Sequence, residues 1–511
     1  MIIYNGKVFG LVDNIKFIKA GKRKKRVRYY VFDDKRVFPI KGSAAKLFEA
    51  IIHYDLFRIE DTIPKKTILK HFDSFLESKW IKEINGTKDK TLSLSCFAFL
   101  TVVNGKYYII NFLYRTIDRI SKETYDLIIK NQLDKIPSSE LFYLYVRRYI
   151  REKCDSDELD IFENYVNSKL VYLIFSYDCN MRCTYCYERN KDRNSQISNE
   201  TLENSIKFID SLSLGNNVVI NFYGGEPLLN NNRDKLFSVI NHFKKNYNVY
   251  YRFISNGMNV KEYIDLFDSV KDKIIGFVIT LDGTKYIHDK RRITNNLNGS
   301  FDNVIESICF LNEHDFNVTI RINIDNENLA CQEELIKYLN KNIKKKKNVT
   351  LEYHRVENKT DPSYDPIEYR ECYKLYKKAK KISRYNVVFN LPIINTLESL
   401  NKNFYPKIKD AYCMVNSNYV IDFDGNIYSC NEAMGINDFK VGSVENSDQN
   451  VVRNREENDH CRTCYFYTAC YGGCHLENYY ARMNNVKKCY KKQIEDTVRE
   501  YISINQNKIS F

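Results

Sequence analysis

From about residue 170 to 356 the chain repeats one pattern, a short apolar, β-branched run followed by an amphipathic stretch with helical spacing. The runs are VYLIFSY, VVINFYG, VYYRFIS, FVITLD, VTIRINI and VTLEYHRV, and helical periodicity fills 197–212, 233–246, 260–270, 301–312 and 330–340 between them. Six βα units of this kind predict an α/β fold with a parallel sheet buried on both faces. Periodicity leaves open whether the sheet is doubly wound or curved into a partial barrel. In both, ligands gather at the carboxyl ends of the strands. A bridging helix is expected over 366–381.

The flanks read differently. Residues 1–165 mix short strands with amphipathic helices, for example over 43–52 and 66–80. CFAFLTVV and KYYIINF, joined by Asn104-Gly105, predict a hairpin, because Asn-Gly accepts the positive φ of a type I′ turn. Helical patterns over 121–130, 139–153 and 157–170 follow, so the region is expected to hold one or two winged-helix-like α+β units able to bind nucleic acid or peptide. The last third is loop-rich and cysteine-rich, with too few apolar runs to hold together without metal. The expected division is 1–165, 166–385, 386–495 and a tail at 496–511.

Composition sharpens this picture. A chain of 511 residues exceeds one core, and 43% hydrophobic with 14% aromatic residues excludes wholesale disorder. No run approaches the length of a membrane span, and the start MIIYNGKVFG lacks the features of a signal peptide, so a cytoplasmic protein without a membrane partner is expected. The net charge of +14 is concentrated in two basic runs, 19–28 and 341–347, read as solvated loops.

Fifteen cysteines without an export signal point to metal ligation rather than disulfides. Cys96, Cys154, Cys309, Cys331 and Cys372 are scattered and read as buried small hydrophobes. Cys179, Cys183 and Cys186 lie directly after the first strand of the βα series. Three thiolates on such a loop can hold three irons of a 4Fe-4S cube and leave the fourth open. The competing zinc site would need a fourth ligand, and Tyr185 is the only candidate side chain between the last two cysteines.

The CxxxCxxC spacing with an aromatic, Tyr185, before the last cysteine resembles the radical SAM superfamily. So does Gly224-Gly225-Glu226-Pro227 after the second strand, which in that superfamily receives the amino group of S-adenosyl-L-methionine; Glu226 would add negative charge there. Ser255 and Asn256 end the third strand, Thr280 of TLDG ends the fourth, and Arg292 closes HDxxR; these resemble the positions that contact the cofactor's ribose and carboxylate. The resemblance implies reductive cleavage of S-adenosylmethionine to a 5′-deoxyadenosyl radical that abstracts hydrogen from a substrate, with a flavodoxin or ferredoxin as electron donor.

Cys413, Cys430, Cys461, Cys464, Cys470, Cys474 and Cys489 resemble the SPASM extension of radical SAM enzymes that modify peptides and proteins. The implied architecture is a partial (β/α)6 radical SAM barrel with a C-terminal SPASM domain and the N-terminal winged-helix-like region. Three 4Fe-4S clusters follow, one catalytic and two auxiliary. By the same resemblance Cys461, Cys464, Cys470 and Cys489 hold one auxiliary cluster, and Cys413, Cys430 and Cys474 hold another with a vacant or borrowed ligand. Anaerobic sulfatase-maturing enzymes carry an Asp after the position of Cys430, where this chain has Asn431, and an extra cysteine between the positions of Cys413 and Cys430, where this chain has none. The expected function is therefore an intramolecular crosslink, a cysteine thioether, in a ribosomally made precursor peptide; the N-terminal region either binds the leader as an added strand or is a structural cap on the barrel. Carbon-carbon crosslinking and oxidation of a protein Ser or Cys are the enzymatic alternatives. An iron-sulfur nucleic-acid-binding regulator is the contrasting class, disfavoured because a sensor needs no open iron. No side chain is assigned as catalytic base.

Overall fold

The computed structural model describes residues 92–152, 168–188, 191–357, 364–401, 418–445, 461, 464–486 and 488–509, together with strands at Ile2–Tyr4, Lys7–Leu11, Lys16–Arg23, Arg26–Asp33, Arg36–Lys41 and Ile81–Glu83. The expected helices at 43–52 and 66–80, Cys154 and Cys413 lie outside the described residues.

The six expected βα strands form at Ser168–Ile174 (β1), Asn217–Tyr223 (β2), Val249–Ser255 (β3), Ile274–Thr280 (β4), Val318–Ile324 (β5) and Val349–Arg355 (β6), and a seventh follows at Asn386–Phe389 (β7). They pair in parallel in strict chain order from β1 to β7. A doubly wound sheet would reverse direction at a switch point, so this order belongs to the singly wound, barrel-like alternative. The bridging helix is Tyr369–Ile382 (α1).

One expectation fails informatively. β3, β5 and β6 alternate strictly between fully buried and half-exposed positions, which is not the pattern of a sheet buried on both faces. Val318, Ile320, Ile322 and Ile324 pack into the main core, whereas Arg321 and Asn323 face an internal cavity. Curvature gives the sheet a helix-covered outside and a wet inside.

The cysteine-rich segment is welded to this sheet. Asn418–Ile421 (β8) runs parallel to β1 on its free edge, and Asn426–Tyr428 (β9) and Lys440–Ser443 (β10) extend it antiparallel. The expected tail boundary at 496 falls inside a helix, Lys491–Asn505 (α2), which packs on α1 through the Tyr373 and Tyr501 rings and an Asn505 Nδ2 to Tyr373 Oη hydrogen bond of 3.3 Å.

In the N-terminal region the hairpin forms as expected, Ala98–Val103 with Lys106–Asn111, and Asn104 and Gly105 take φ of 52° and 70°. A third strand, Thr116–Ile120, extends it. Three readings are corrected. The helix over 139–153 ends at Val146, and Ile150–Glu152 is a strand. The helix over 157–170 does not reach 170, because β1 begins at Ser168. The basic run 19–28 is not a loop but two strands of a three-stranded antiparallel meander. Among the described scattered cysteines only Cys372 is buried; Cys309 and Cys331 are half-buried and Cys96 is exposed. No helix among the described residues is long and apolar enough to cross a membrane.

Candidate functional site

The loop that leaves β1 carries Cys179, Cys183 and Cys186 and is held from two sides. On one, Gly225 N donates to Ser176 O (3.1 Å) and Glu226 N to Asp178 O (2.8 Å). A Cβ on Gly225 would lie 2.0 Å from the Asp178 carbonyl oxygen, so the glycine is required by contact between two loops of the chain itself, besides any ligand. On the other side the segment after Arg291 runs alongside: Arg182 N donates to Ile293 O (2.7 Å), Thr184 N to Arg291 O (3.0 Å) and Asn295 N to Asn180 O (3.0 Å).

Glu226 lies behind the site rather than in it. It is fully buried, and its carboxylate accepts from Leu228 N (3.0 Å), Ser255 Oγ (2.8 Å) and Asn256 N (2.7 Å), tying the end of β2 to the end of β3. Neither Glu226 nor Pro227 lines the cavity. Asn256, so placed, donates from Nδ2 to Asn180 Oδ1 (2.7 Å) and to Cys179 Sγ (3.7 Å).

Tyr185 points the other way. Its hydroxyl donates to buried Asp282 and accepts from Arg292 Nη1 (2.7 Å) and Asn323 Nδ2 (3.0 Å). The aromatic before the last cysteine thus anchors the loop to the ends of β4 and β5. In the HDxxR stretch only Arg292 reaches the cavity. His288 is buried against Ser300, and Asp289 accepts from the Ser300 and Phe301 amides, so both fix the local turn.

Burial dominates the thiol chemistry. The Cys179 thiol is pushed up to about 12 by burial and by the charge of Glu226, and Cys186 to about 11 by burial and Glu188. Cys183 is also raised by burial, opposed by Arg292. Three such thiols deprotonate when a cationic group compensates them, which is what iron ligation does. Among the described residues no three His, Cys, Asp or Glu side chains converge on a single metal ion. An iron cube asks for no such convergence, since each thiolate takes its own iron.

A cavity of about 890 Å³ opens from this loop. Cys179, Cys183, Tyr185, Cys186, Gly224, Gly225, Ser255, Asn256, Thr280 and Arg292 line it, and so do Cys470 and Cys474. Cys470 closes the short helix Tyr467–Cys470; Tyr471, Gly472 and Gly473 then take positive φ, and Cys474 starts the helix His475–Met483. The Cys470 thiol is pushed up to about 12 by burial and by the charges of Cys461, Cys464 and Cys489, so the structure brings these four together. Cys430 and Cys474 pack against a different cluster, with Tyr177, Met434 and Leu476. Asn431 lines the cavity and donates to Tyr223 Oη (3.3 Å), which shares a hydrogen bond with Tyr187 Oη (2.7 Å).

Sequence reasoning missed the polar side chains of the barrel wall, Tyr223, Arg321, His354 and Asn390, together with Glu188, which burial raises to about 7. Their signal was present: charged residues at alternate positions of otherwise apolar strands, as in VTIRINI and VTLEYHRV.

Residues 173–339 match the family described as the Radical SAM superfamily, so the chain carries a radical SAM domain. The family implies S-adenosylmethionine and a 4Fe-4S cluster, and the three half-buried thiols of one loop are a donor set that fits it. The chain is similar to a cysteine-type anaerobic sulfatase-maturating enzyme of Clostridium novyi, 27% identical over 336 residues, covering 58% of this chain and 85% of that one. It is similar to the radical SAM cyclopropyl synthase TigE of Paramaledivibacter caminithermalis, 24% identical over 247 residues, covering 42% and 51%. The crystal structure of Streptococcus suis SuiB bound to precursor peptide SuiA aligns with a TM-score of 0.48 at 14% identity, covering 76% of this chain and 96% of that one.

Proposed function

We propose that this enzyme crosslinks a cysteine of a ribosomally made precursor peptide, as a thioether. The observation that carries the reading is a cavity of about 890 Å³ lined both by the three-cysteine loop and by Cys470 and Cys474. Cys179, Cys183 and Cys186 would each take one iron. Gly224, Gly225, Ser255, Asn256, Thr280 and Arg292 would hold S-adenosylmethionine, with Glu226 and Tyr185 positioning that frame from behind. When bound, this pair supplies one-electron, hydrogen-abstracting chemistry. The chain's part is to orient the substrate and keep water out. In the SPASM-like segment Cys461, Cys464, Cys470 and Cys489 would hold one auxiliary cluster, and Cys430 and Cys474, with Cys413, a second whose open iron could ligate the substrate thiol.

Oxidation of a protein Cys or Ser is the second reading, favoured by the sulfatase-maturating relative. Asn431 disfavours it, because an amide next to Tyr223 cannot take up the proton that a carboxylate there would. The test is anaerobic turnover of a cysteine-rich precursor encoded beside this chain, read by mass and thiol content. Crosslinking loses two hydrogens and keeps sulfur; formylglycine formation from Cys loses the sulfur. Deoxyadenosine release without either product would overturn both readings.

A further inference from the structure

Arg321 sits on the inner face of β5 with its side chain about a quarter exposed, and among the described residues its guanidinium donates no hydrogen bond. Its one charged contact is Glu352 Oε2 at 3.7 Å, and its Nε is buried with no hydrogen bond. Glu352 is itself shared, facing His354 Nε2 at 3.3 Å and the charge of Arg252 on β3, so it cannot saturate Arg321. Glu432 faces the same wall from the loop after β9, close to His354 and Tyr223, and Glu188 faces Tyr223 from the cysteine loop. Neither carboxylate hydrogen-bonds Arg321.

A planar fork of five donors, left unfilled in a cavity wall, matches a carboxylate or a phosphate bidentately, and of the two an unmodified peptide carries only carboxylates. The location is specific. Arg321 lies two residues before Asn323, which bonds Tyr185 at the edge of the proposed cofactor site, and two strand residues span about 7 Å. A group held at Arg321 therefore lies about one side-chain length along the barrel wall from Asn323, where the proposed cofactor site begins.

We propose that Arg321 anchors a carboxylate of the substrate peptide, an acidic side chain or the C-terminus, and so sets which neighbouring residue faces the cofactor. This rests on the peptide-modifying reading above. The test uses the full chain, reconstituted and loaded with S-adenosylmethionine, in equilibrium dialysis with radiolabelled N-acetyl-aspartate methylamide, N-acetyl-alanine with a free carboxylate, and N-acetyl-asparagine methylamide as the neutral control. Expected is at least tenfold tighter binding of one acid than of the amide. The preferred acid tells a side-chain carboxylate from a C-terminal one. In Arg321→Gln the preference should collapse, and Arg321→Lys should restore part of it; equal iron content in all three proteins verifies folding.

Equal binding of acid and amide by the parent protein would overturn the proposal, since cavity water would then satisfy the guanidinium equally well. An equal loss of S-adenosylmethionine affinity in Arg321→Gln would also overturn it, by reassigning Arg321 to the cofactor's own carboxylate. Failure here with normal deoxyadenosine release by the parent sinks only the role of Arg321. Absence of that release sinks the reading beneath it.

Discussion

A Cβ added at Gly225 would meet backbone, not the far end of a flexible side chain, so nothing nearby can yield without moving the cysteine loop. Gly225→Ala should lose about 1–3 kcal/mol of stability and take up less iron, because Ser176 O and Asp178 O are both tied to this loop. Gly442→Ala is the control: its Cβ would meet nothing within 4 Å, and a thermal melt should place it within about 0.5 kcal/mol of the parent. A Gly225→Ala protein with normal iron content would show that the two loops are less rigidly joined than their contacts state. Tyr185 offers a second test. Its hydroxyl serves Asp282, Arg292 and Asn323 at once, and all of these are buried or half-buried. Tyr185→Phe strands a carboxylate and two donors together, and should cost about 1–3 kcal/mol, with weaker S-adenosylmethionine binding as Arg292 loses its hold. Equilibrium unfolding and cofactor titration check the two effects separately.

At the scale of elements, the strands of the barrel were legible because their apolar runs are long and β-branched, and the hairpin because Asn104-Gly105 takes the left-handed conformations its turn needs. Curvature was legible too, though only in hindsight of the alternation. Arg252, Arg321, Glu352 and His354 interrupt their strands at every second position, which a sheet covered on both faces would not tolerate. The short strand at 150–152 was not legible, because three residues carry no periodicity and only pairing with Leu92–Leu94 defines them. The meander at 16–41 was hidden by its own charge, since Lys and Arg are poor strand formers whose cost here is met by cross-strand pairing. The supposed tail hid differently. Ile494, Val498 and Ile502 follow helical spacing, are fully buried and belong to the main core. Ile502→Ala should therefore cost about 2–5 kcal/mol, as an interior truncation does. A denaturant midpoint equal to the parent's would return residues 496–511 to the status of an appendage.

Across the whole molecule, the N-terminal hairpin proves to be a wall of the cysteine-rich segment. Phe99 stacks on Tyr465 (5.1 Å) and meets Phe466 at a tilt (5.0 Å), Phe112 meets Phe466 edge-on, and Arg115 Nη2 donates to Thr468 O (3.1 Å), all within a few residues of Cys464 and Cys470. Arg147, paired with Asp118, also bonds Asn401 Oδ1 (2.7 Å), and Asn401 Nδ2 donates to Ile117 O (2.8 Å). The N-terminal region therefore has a packing role besides the leader recognition that the sequence leads one to expect, and a single deletion would confuse the two. Removing residues 1–90 leaves the hairpin and its aromatic contacts in place but takes away the meander whose strands Lys16–Arg23 and Arg36–Lys41 each pair on one side only among the described residues. An unpaired edge is what an added strand of a leader peptide needs. That truncation should keep the parent's iron content and deoxyadenosine release while sharply lowering modification of a full-length precursor. Removing residues 1–152 also strips Phe99, Phe112 and Arg115 from the segment around Cys464, so iron should fall toward what the three-cysteine loop alone can hold. Iron content, deoxyadenosine release and peptide mass change, measured on both truncations, separate the roles. Equal iron in the two proteins would deny the hairpin its part in holding the cysteine segment, and full precursor modification by the shorter truncation would deny the meander its peptide.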